Sequence, residues 1–245
     1  MADEHGLGGV TAQRQLLNPQ QREAILRFDT CTIANAIESF GIRLRNEGFS
    51  RPGLNCVTGS EQRILGYAAT FQVRSSEPPV IGGKFQERTD WWGEIEQLPH
   101  PAIAVFQNLD KESGTGACVG SVHAAILKAF GCYGIITNGS IRDVSGIREL
   151  GIPAYAESLT VSHSYMHIVD FGAPVEIFGL SVRQGDLLYA DCHGVLAIPI
   201  EIAAELPDAA ARVRQKEKNI IDVCQSADFS SAKLLQAIRE NDQCK

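Results

Sequence analysis

The stretch Ala102–Asp143, AIAVFQNLDKESGTGACVGSVHAAILKAFGCYGIITNGSIRD, decides the fold. Ala102 to Gln107 is a short apolar run, the pattern of a buried strand. Gly114-Thr-Gly-Ala-Cys-Val-Gly120 is too rich in glycine for a helix and reads as a loop. Ser121 to Phe130 carries the good helix formers Ala124, Ala125, Leu127 and Lys128. Tyr133 to Thr137 is apolar and β-rich again. Strand, glycine loop, helix and strand in that order predict one right-handed crossover between parallel strands, and so an α/β domain.

The second of these strands runs into Gly139-Ser-Ile-Arg-Asp143. Arg142 presents a planar fork of donors that matches a carboxylate, and Asp143 presents the hard oxygens that Mg²⁺ or Mn²⁺ accepts. The pair predicts a place to hold a small keto acid and a divalent cation together. A purely structural use is also open, because Asp143 precedes Val-Ser-Gly-Ile-Arg-Glu-Leu and an aspartate there would cap a short helix. The helix start at Gly120, Ser121, Val122 and His123 supplies backbone amides for the same anion. Gly114-x-Gly116-x-x-x-Gly120 also imitates a dinucleotide fingerprint. Against that reading, the loop is long for the tight turn, and Asn138-Gly139 stands where an acid for ribose is expected.

Outward from this unit, Asn18-Pro19 opens a helix continuing to Phe28. A second follows, capped by Asp29 or Thr30, with Ile33, Ile37 and Phe40 on one face and Gly41 placed to end it. Asn46 to Ser60 reads as loop and Ile64 to Val73 as a strand in which Gly66 marks a bulge. Ser75 to Lys84 reads as loop. Trp91 and Trp92 precede a short helix and are expected in the core or at a subunit interface. After a short helix beyond Asp143 come strands at Ala154–Ala156, Pro174–Phe178, Leu187–Ala190 and Val195–Ile198. Helices over Asp208–Cys224 and Ser230–Glu240 close the chain. The expectation is one layered α/β domain with mixed sheets over residues 1–245, with a core at about 28–220 and helical extensions at both ends.

A chain of 245 residues, 44% hydrophobic, can bury a full core as a single unit. A net charge of −7 argues against a broad phosphate-tracking surface, so nucleic acid is not an expected direct ligand. No stretch approaches the length of a membrane span and the first residues lack the character of a signal, which predicts a cytoplasmic protein. The seven cysteines are scattered with no Cys-x-x-Cys pair, so they are expected to be reduced and mostly buried.

From Gly114 to Pro199 the chain resembles the family that includes the regulator of RNase E activity A (RraA) and the divalent-metal 4-hydroxy-4-methyl-2-oxoglutarate and 4-carboxy-4-hydroxy-2-oxoadipate aldolases. The segments that carry the likeness are Gly120 through Gly131-Cys-Tyr-Gly134, Asn138-Gly-Ser-Ile-Arg-Asp143 and Gly185-Asp-Leu-Leu-Tyr-Ala-Asp-Cys-His-Gly-Val-Leu-Ala-Ile-Pro199. Phe28 to Gly41 resembles the family's first helix. The resemblance implies a swivelling ββα-type core and a homotrimer or a dimer of trimers with sites at subunit boundaries. It also implies Arg142 for substrate, Asp143 for Mg²⁺ or Mn²⁺, and cleavage of a carbon–carbon bond through a cation-stabilised enolate. Aldol cleavage and oxaloacetate decarboxylation would share that enolate, and none of the seven lysines has a recognisable Schiff-base setting.

The chain departs from the aldolase pattern at Ser121, where the resemblance implies an acid with twenty residues between it and the arginine. The acid expected soon after the Arg-Asp pair is also missing. A serine cannot serve as a carboxylate base, so His123 is one candidate for proton transfer. Glu217, near where the family places a neighbouring subunit's glutamate, is another. The alternative is a noncatalytic regulator that binds a ribonuclease or helicase partner on the same fold. Two further patterns stand apart. His163 and His167, four residues apart, would share a face if helical and could hold a transition metal. Asp191-Cys-His193-Gly reads as hairpin turn chemistry. The segment 75–98 is a candidate for shaping specificity.

Overall fold

The computed structural model describes residues 16–59, 62–79 and 89–243. Helices α1 (Pro19–Leu26) and α2 (Thr30–Glu38) precede strands β1 (Asn55–Cys56) and β2 (Ile64–Arg74). Then come α3 (Trp92–Glu96), β3 (Ala102–Asn108), β4 (Ala117–Val119), α4 (Ser121–Ala129), β5 (Cys132–Thr137), β6 (Ser140–Ile141) and α5 (Val144–Glu149). They are followed by β7 (Ala154–Ala156), β8 (Ser158–Leu159), β9 (His167–Phe171), β10 (Val175–Ile177), β11 (Leu180–Val182), β12 (Leu187–Asp191) and β13 (Gly194–Ile198). Helices α6 (Leu206–Gln225) and α7 (Ser231–Gln243) come last.

The 102–143 stretch builds the centre as read: β3 and β5 pair in parallel with α4 crossing between them. β2 and β7 extend the parallel set to the order β7-β5-β3-β2, with antiparallel β1 beside β7 and antiparallel β12 and β13 beyond β2. β2 is long enough to take two antiparallel partners end to end, β12 along residues 64–67 and β9 along 71–74. The segment before β1 bonds the far edge, through Ser50 N–H to the Val195 carbonyl and Ala197 N–H to the Gly48 carbonyl, both at 2.8 Å. The chain thus runs from one edge of the sheet to the other and nearly closes it, which removes most of its open edge.

Strand alternation sorts the core into three clusters. Ile103 and Val105 of β3 point inward with Ile64, Ala68, Ile136 and Leu188, where the β10–β11 hairpin fills the interior. Ala102, Ala104 and Phe106 face α3, α4 and α5. Leu65 and Tyr67 of β2 face α1, α2 and α6. Trp91 is fully buried, edge-on to the Phe71 ring at 5.6 Å, and Trp92 packs on Phe130 at 5.2 Å. The tryptophans are core residues, as expected.

Several readings are corrected. The glycine loop is not all loop, because Ala117–Val119 pairs in parallel with β6. Gly66 is not a bulge, since pairing runs regularly through it. Its constraint is a Pro101 carbonyl only 2.5 Å from where a Cβ would sit. Residues 163–167 are not a helix: Ser164 is left-handed at φ 47°, and His167 opens β9 opposite Arg74. The strand expected at Pro174–Phe178 is present as β10, in a hairpin whose turn, Phe178-Gly179, has both φ values positive, as a type I′ turn requires. The cysteines are not mostly buried: Cys118 and Cys132 are, whereas Cys31, Cys192 and Cys224 are exposed. Among the described residues no helix is long and apolar enough to cross a membrane.

Candidate active site

The carboxyl ends of the parallel strands carry a cluster of hydrogen-bonded polar side chains. Asn108 ends β3 and Asn138 follows β5, and the two clamp each other. Asn108 N–H donates to Asn138 Oδ1 at 2.7 Å and Asn138 Nδ2 donates to the Asn108 carbonyl at 3.3 Å. Beyond β2, the amides and hydroxyls of Ser75 and Ser76 donate to Asp110 at 2.7 to 3.1 Å. Burial by itself would raise the Asp110 pKa, but these four donors outweigh it and hold the carboxyl below its ordinary value. With these ends fixed, β4, β6 and β8 form a small parallel sheet that delivers Gly120, Arg142 and Asp143 to one place. In α/β sheets this edge is where ligands bind.

Arg142 N–H donates to the Val119 carbonyl at 3.0 Å, which ties the strand leading to α4 to the strand end that carries the arginine. Asp143 is left-handed at φ 55° and occupies the N-cap position of α5, yet its side chain makes no cap bond to that helix. The helix-cap reading is therefore overturned. Its Oδ2 instead accepts from the Ser121 amide at 3.4 Å and the Ser121 hydroxyl at 3.3 Å, and lies 3.7 Å from Arg142 Nε. Three glycines make this approach possible. A Cβ on Gly120 would fall 2.9 Å from Asp143 Oδ2 and 3.2 Å from Arg142 Nε, one on Gly146 would fall 2.9 Å from Ser121 Cβ, and one on Gly139 would fall 2.7 Å from Cys118 Sγ.

His123, in the first turn of α4, joins the group electrostatically. Burial is the main cause that lowers its pKa to about 4, and the nearby charges of Arg142 and His163 lower it further, against a hydrogen bond to the Cys118 backbone. Its imidazole is neutral at pH 7. His163 donates from Nδ1 to the Ser164 carbonyl at 2.7 Å. Val122 is exposed beside them.

Glu217 is placed elsewhere. It sits on α6, where Oε1 accepts from Asn35 Nδ2 of α2 at 3.2 Å. Sequence reading missed Asp110, and it named His163 only as a possible metal partner of His167, not as a neighbour of this site. Asp110 carried a usable signal, an acid just past an apolar strand, whereas nothing local to His163 predicts that its loop folds back onto Gly116.

Two groups offer cation ligands. Asp143 Oδ1 has no partner among the described residues and its carboxylate is half-exposed, so it can give a hard oxygen to a cation that draws its remaining ligands from water and substrate. That donor set fits Mg²⁺ or Mn²⁺. The Asp191, Cys192 and His193 ligand atoms lie within 4.8 Å of one another. The Asp191 carboxylate is already occupied there, accepting from Thr30 N–H at 2.8 Å, Thr30 Oγ1 at 2.7 Å and His193 N–H at 2.9 Å. This supports the turn reading of that motif.

A family model described as RraA-like (Aldolase/RraA) matches residues 30–197. The chain belongs to this family. Protein DlpA of Legionella pneumophila is 24% identical over 227 residues, covering 91% of this chain and 34% of DlpA. A putative 4-hydroxy-4-methyl-2-oxoglutarate aldolase of Halalkalibacterium halodurans is 30% identical over 138 residues, covering 56% of this chain and 60% of the aldolase. The chain thus spans about a third of the one relative and three-fifths of the other. Among solved structures, Streptomyces coelicolor RraAS2, described as an unusual member of the RNase ES inhibitor RraA protein family, superposes with a TM-score of 0.65. The identity is 24%, with 83% of this chain and 96% of that one covered. At that identity the likeness concerns the fold. The RraA-like architecture inferred from sequence is the one observed.

Proposed function

We propose that this RraA-like protein is a divalent-metal-dependent carbon–carbon lyase acting on a pyruvate-derived keto acid, by aldol cleavage, decarboxylation of oxaloacetate, or both. The observation that carries the reading is the convergence of Arg142, Asp143 and the start of α4 through glycines that leave no room for a side chain. The name of the Halalkalibacterium relative supports the same class.

Arg142 grips the substrate carboxylate with two parallel N–H donors, and the start of α4 adds its partial positive charge to the same anion. Asp143 holds Mg²⁺ or Mn²⁺, and the cation, when bound, supplies Lewis-acid polarisation of the keto oxygen. Ser121 keeps the Asp143 carboxylate turned toward α4 without neutralising it. His123 handles the proton: neutral before substrate arrives, it is in the form that accepts one, and a substrate anion that offsets the Arg142 charge raises its affinity. In this reading the chain is one cytoplasmic domain in which Cys31, Cys192 and Cys224 stay as thiols. It forms a homotrimer or hexamer. The exposed Ile221, Phe229, Leu235 and Ile238 of the α6–α7 region pack on a neighbour, and Glu217 serves the neighbour's site. Light scattering that finds a monomer removes this assembly and the role of Glu217.

Pyruvate release from oxaloacetate and from 4-hydroxy-4-methyl-2-oxoglutarate, with and without Mg²⁺ or Mn²⁺, tests the proposal. The expected result is metal-dependent turnover that disappears in Arg142→Ala and Asp143→Asn. Turnover no faster than free metal overturns it. Ser121, in place of an acid, favours a second reading, a regulator that binds a ribonuclease or helicase partner. Absent turnover together with binding to such a partner would establish that one instead.

A further inference from the structure

The opposite end of the same strands carries a different kind of site. A cavity of about 500 Å³ opens where β2, β3 and β5 begin, between α1 and the turn that enters β3. Its floor is apolar, with Ile64 and Ile103, and its polar wall is formed by Arg22, Arg63, His100 and Tyr133. β3 alone spans about 20 Å, so the cavity is separate from the Arg142–Asp143 cluster at the carboxyl ends.

The charge arrangement is what calls for a ligand. Two guanidinium groups and an imidazole line the cavity, and no carboxylate among the described residues lines it, in a chain whose net charge is −7. Arg63 is partly balanced, donating to the Leu26 carbonyl at 2.9 Å and acting on the Asp29 charge. Arg22 is not balanced in this way. Its Nε is buried with no hydrogen-bond partner among the described residues, and the groups that act on its charge are the phenols of Tyr67 and Tyr133. A buried guanidinium donor is normally paired. The fork geometry of arginine matches carboxylate and phosphate oxygens, and the floor beside it suits a flat apolar body.

We propose that this cavity is a second binding site, for a small organic oxyanion, a carboxylate or phosphate carried on a planar apolar group. Benzoate and phenyl phosphate are suitable probes, with phenol as the apolar control for both and formate and inorganic phosphate as their respective anionic halves. Calorimetric titration of the full chain should show saturable binding of at least one of the two probes, tighter than either half alone. Which of the two binds assigns the headgroup. Binding should weaken at least about tenfold in Arg22→Gln and stay unchanged in Arg142→Ala, which reports on the other site. Arg63→Gln, on the same wall, should weaken binding too and serves as the test if the Arg22 variant loosens α1. Three results would overturn the proposal: no saturation by either probe up to about 20 mM, affinity no better than that of phenol or of the matching anion (formate or phosphate) alone, or binding lost in Arg142→Ala and kept in both other variants.

Discussion

Two aspartates in this molecule do formally the same thing and differ in almost every quantity. Asp191, at the end of β12, reaches the hydroxyl-bearing first residue of α2 and accepts from the Thr30 amide at 2.8 Å and the Thr30 hydroxyl at 2.7 Å. Asp143, just past β6, reaches the hydroxyl-bearing first residue of α4 and accepts from the Ser121 amide at 3.4 Å and hydroxyl at 3.3 Å. The Asp191 side chain is 4% exposed and also takes two donors from His193, whereas Asp143 is 43% exposed and keeps one oxygen without a partner among the described residues. One carboxylate has its lone pairs filled and joins two layers of the fold. The other has contacts too long to fill them and remains available to a cation. Residue type and position relative to a helix are alike in the two cases, so it is saturation that separates a structural acid from a ligand-binding one.

The sharpest way to break this comparison is to remove each group and ask which observable moves. Arg142→Ala or Asp143→Asn is expected to lower kcat/KM for the keto acid about 10³-fold while the melting temperature stays nearly constant, as steady-state kinetics and calorimetry would record. A large loss of stability in either variant would mean that this pair is a joint as well.

Asp191→Ala should do the reverse. Leaving the Thr30 amide and hydroxyl without an acceptor at a buried site is expected to cost about 3 kcal/mol in urea denaturation, with the kcat of the folded fraction unchanged. The pH dependence follows from the sign of the shift. Burial would raise the Asp191 pKa, but the donors from Thr30 and His193 outweigh it and the net shift is downward. Its contribution is therefore complete above the ordinary carboxylate range and is lost as pH falls through the folded value.

The contrast also shows what sequence can and cannot carry. The crossover from Ala102 to Thr137 was legible because strand and helix periods are local, and the Arg142-Asp143 pair was legible because its chemistry is written in two adjacent residues. Nothing in Asp191-Cys-His or in Ile-Arg-Asp states how far the first residue of a distant helix will lie, yet that distance divides the two roles. Short elements were lost for a related reason. β4, β8 and β11 have two or three residues each and exist because of their partners, with no periodicity of their own to detect. His163 came to the site through the loop between β8 and β9, although the spacing of His163 and His167 imitates one helical turn.

Between these extremes, Gly120 sharpens the comparison by forcing the slack contact to change. Its φ of −126° is accessible to any residue, so Gly120→Ala introduces no backbone strain, only a methyl group 2.9 Å from Asp143 Oδ2. The carboxylate must swing away from Ser121. A loss of about 30-fold in kcat/KM with no more than about 1 kcal/mol of stability is expected. If activity is unchanged, the position of Asp143 against α4 is not what the reaction uses.

The smallest expected effect comes from His123, which senses the same cluster without being part of the carboxylate contact. Its folded pKa lies near 4, below the value of 6.5 for a free imidazole, chiefly because burial disfavours the cation and secondarily because Arg142 and His163 repel it. The unfolded chain therefore binds a proton that the folded chain refuses, so stability contributed by the neutral form is present above pH 6.5 and drains away as pH falls toward 4. Partial exposure reduces the effect to the order of 1 kcal/mol by pH 5. Urea titrations at pH 7 and pH 5 should show that loss in the native protein and a smaller one in His123→Gln. Arg142→Ala should lie between them, since it removes a lesser cause of the shift and leaves burial in place. An Arg142→Ala protein with the full native loss would mean that the guanidinium does not act on this imidazole, and the proton-transfer role given to His123 would lose its link to the substrate's charge.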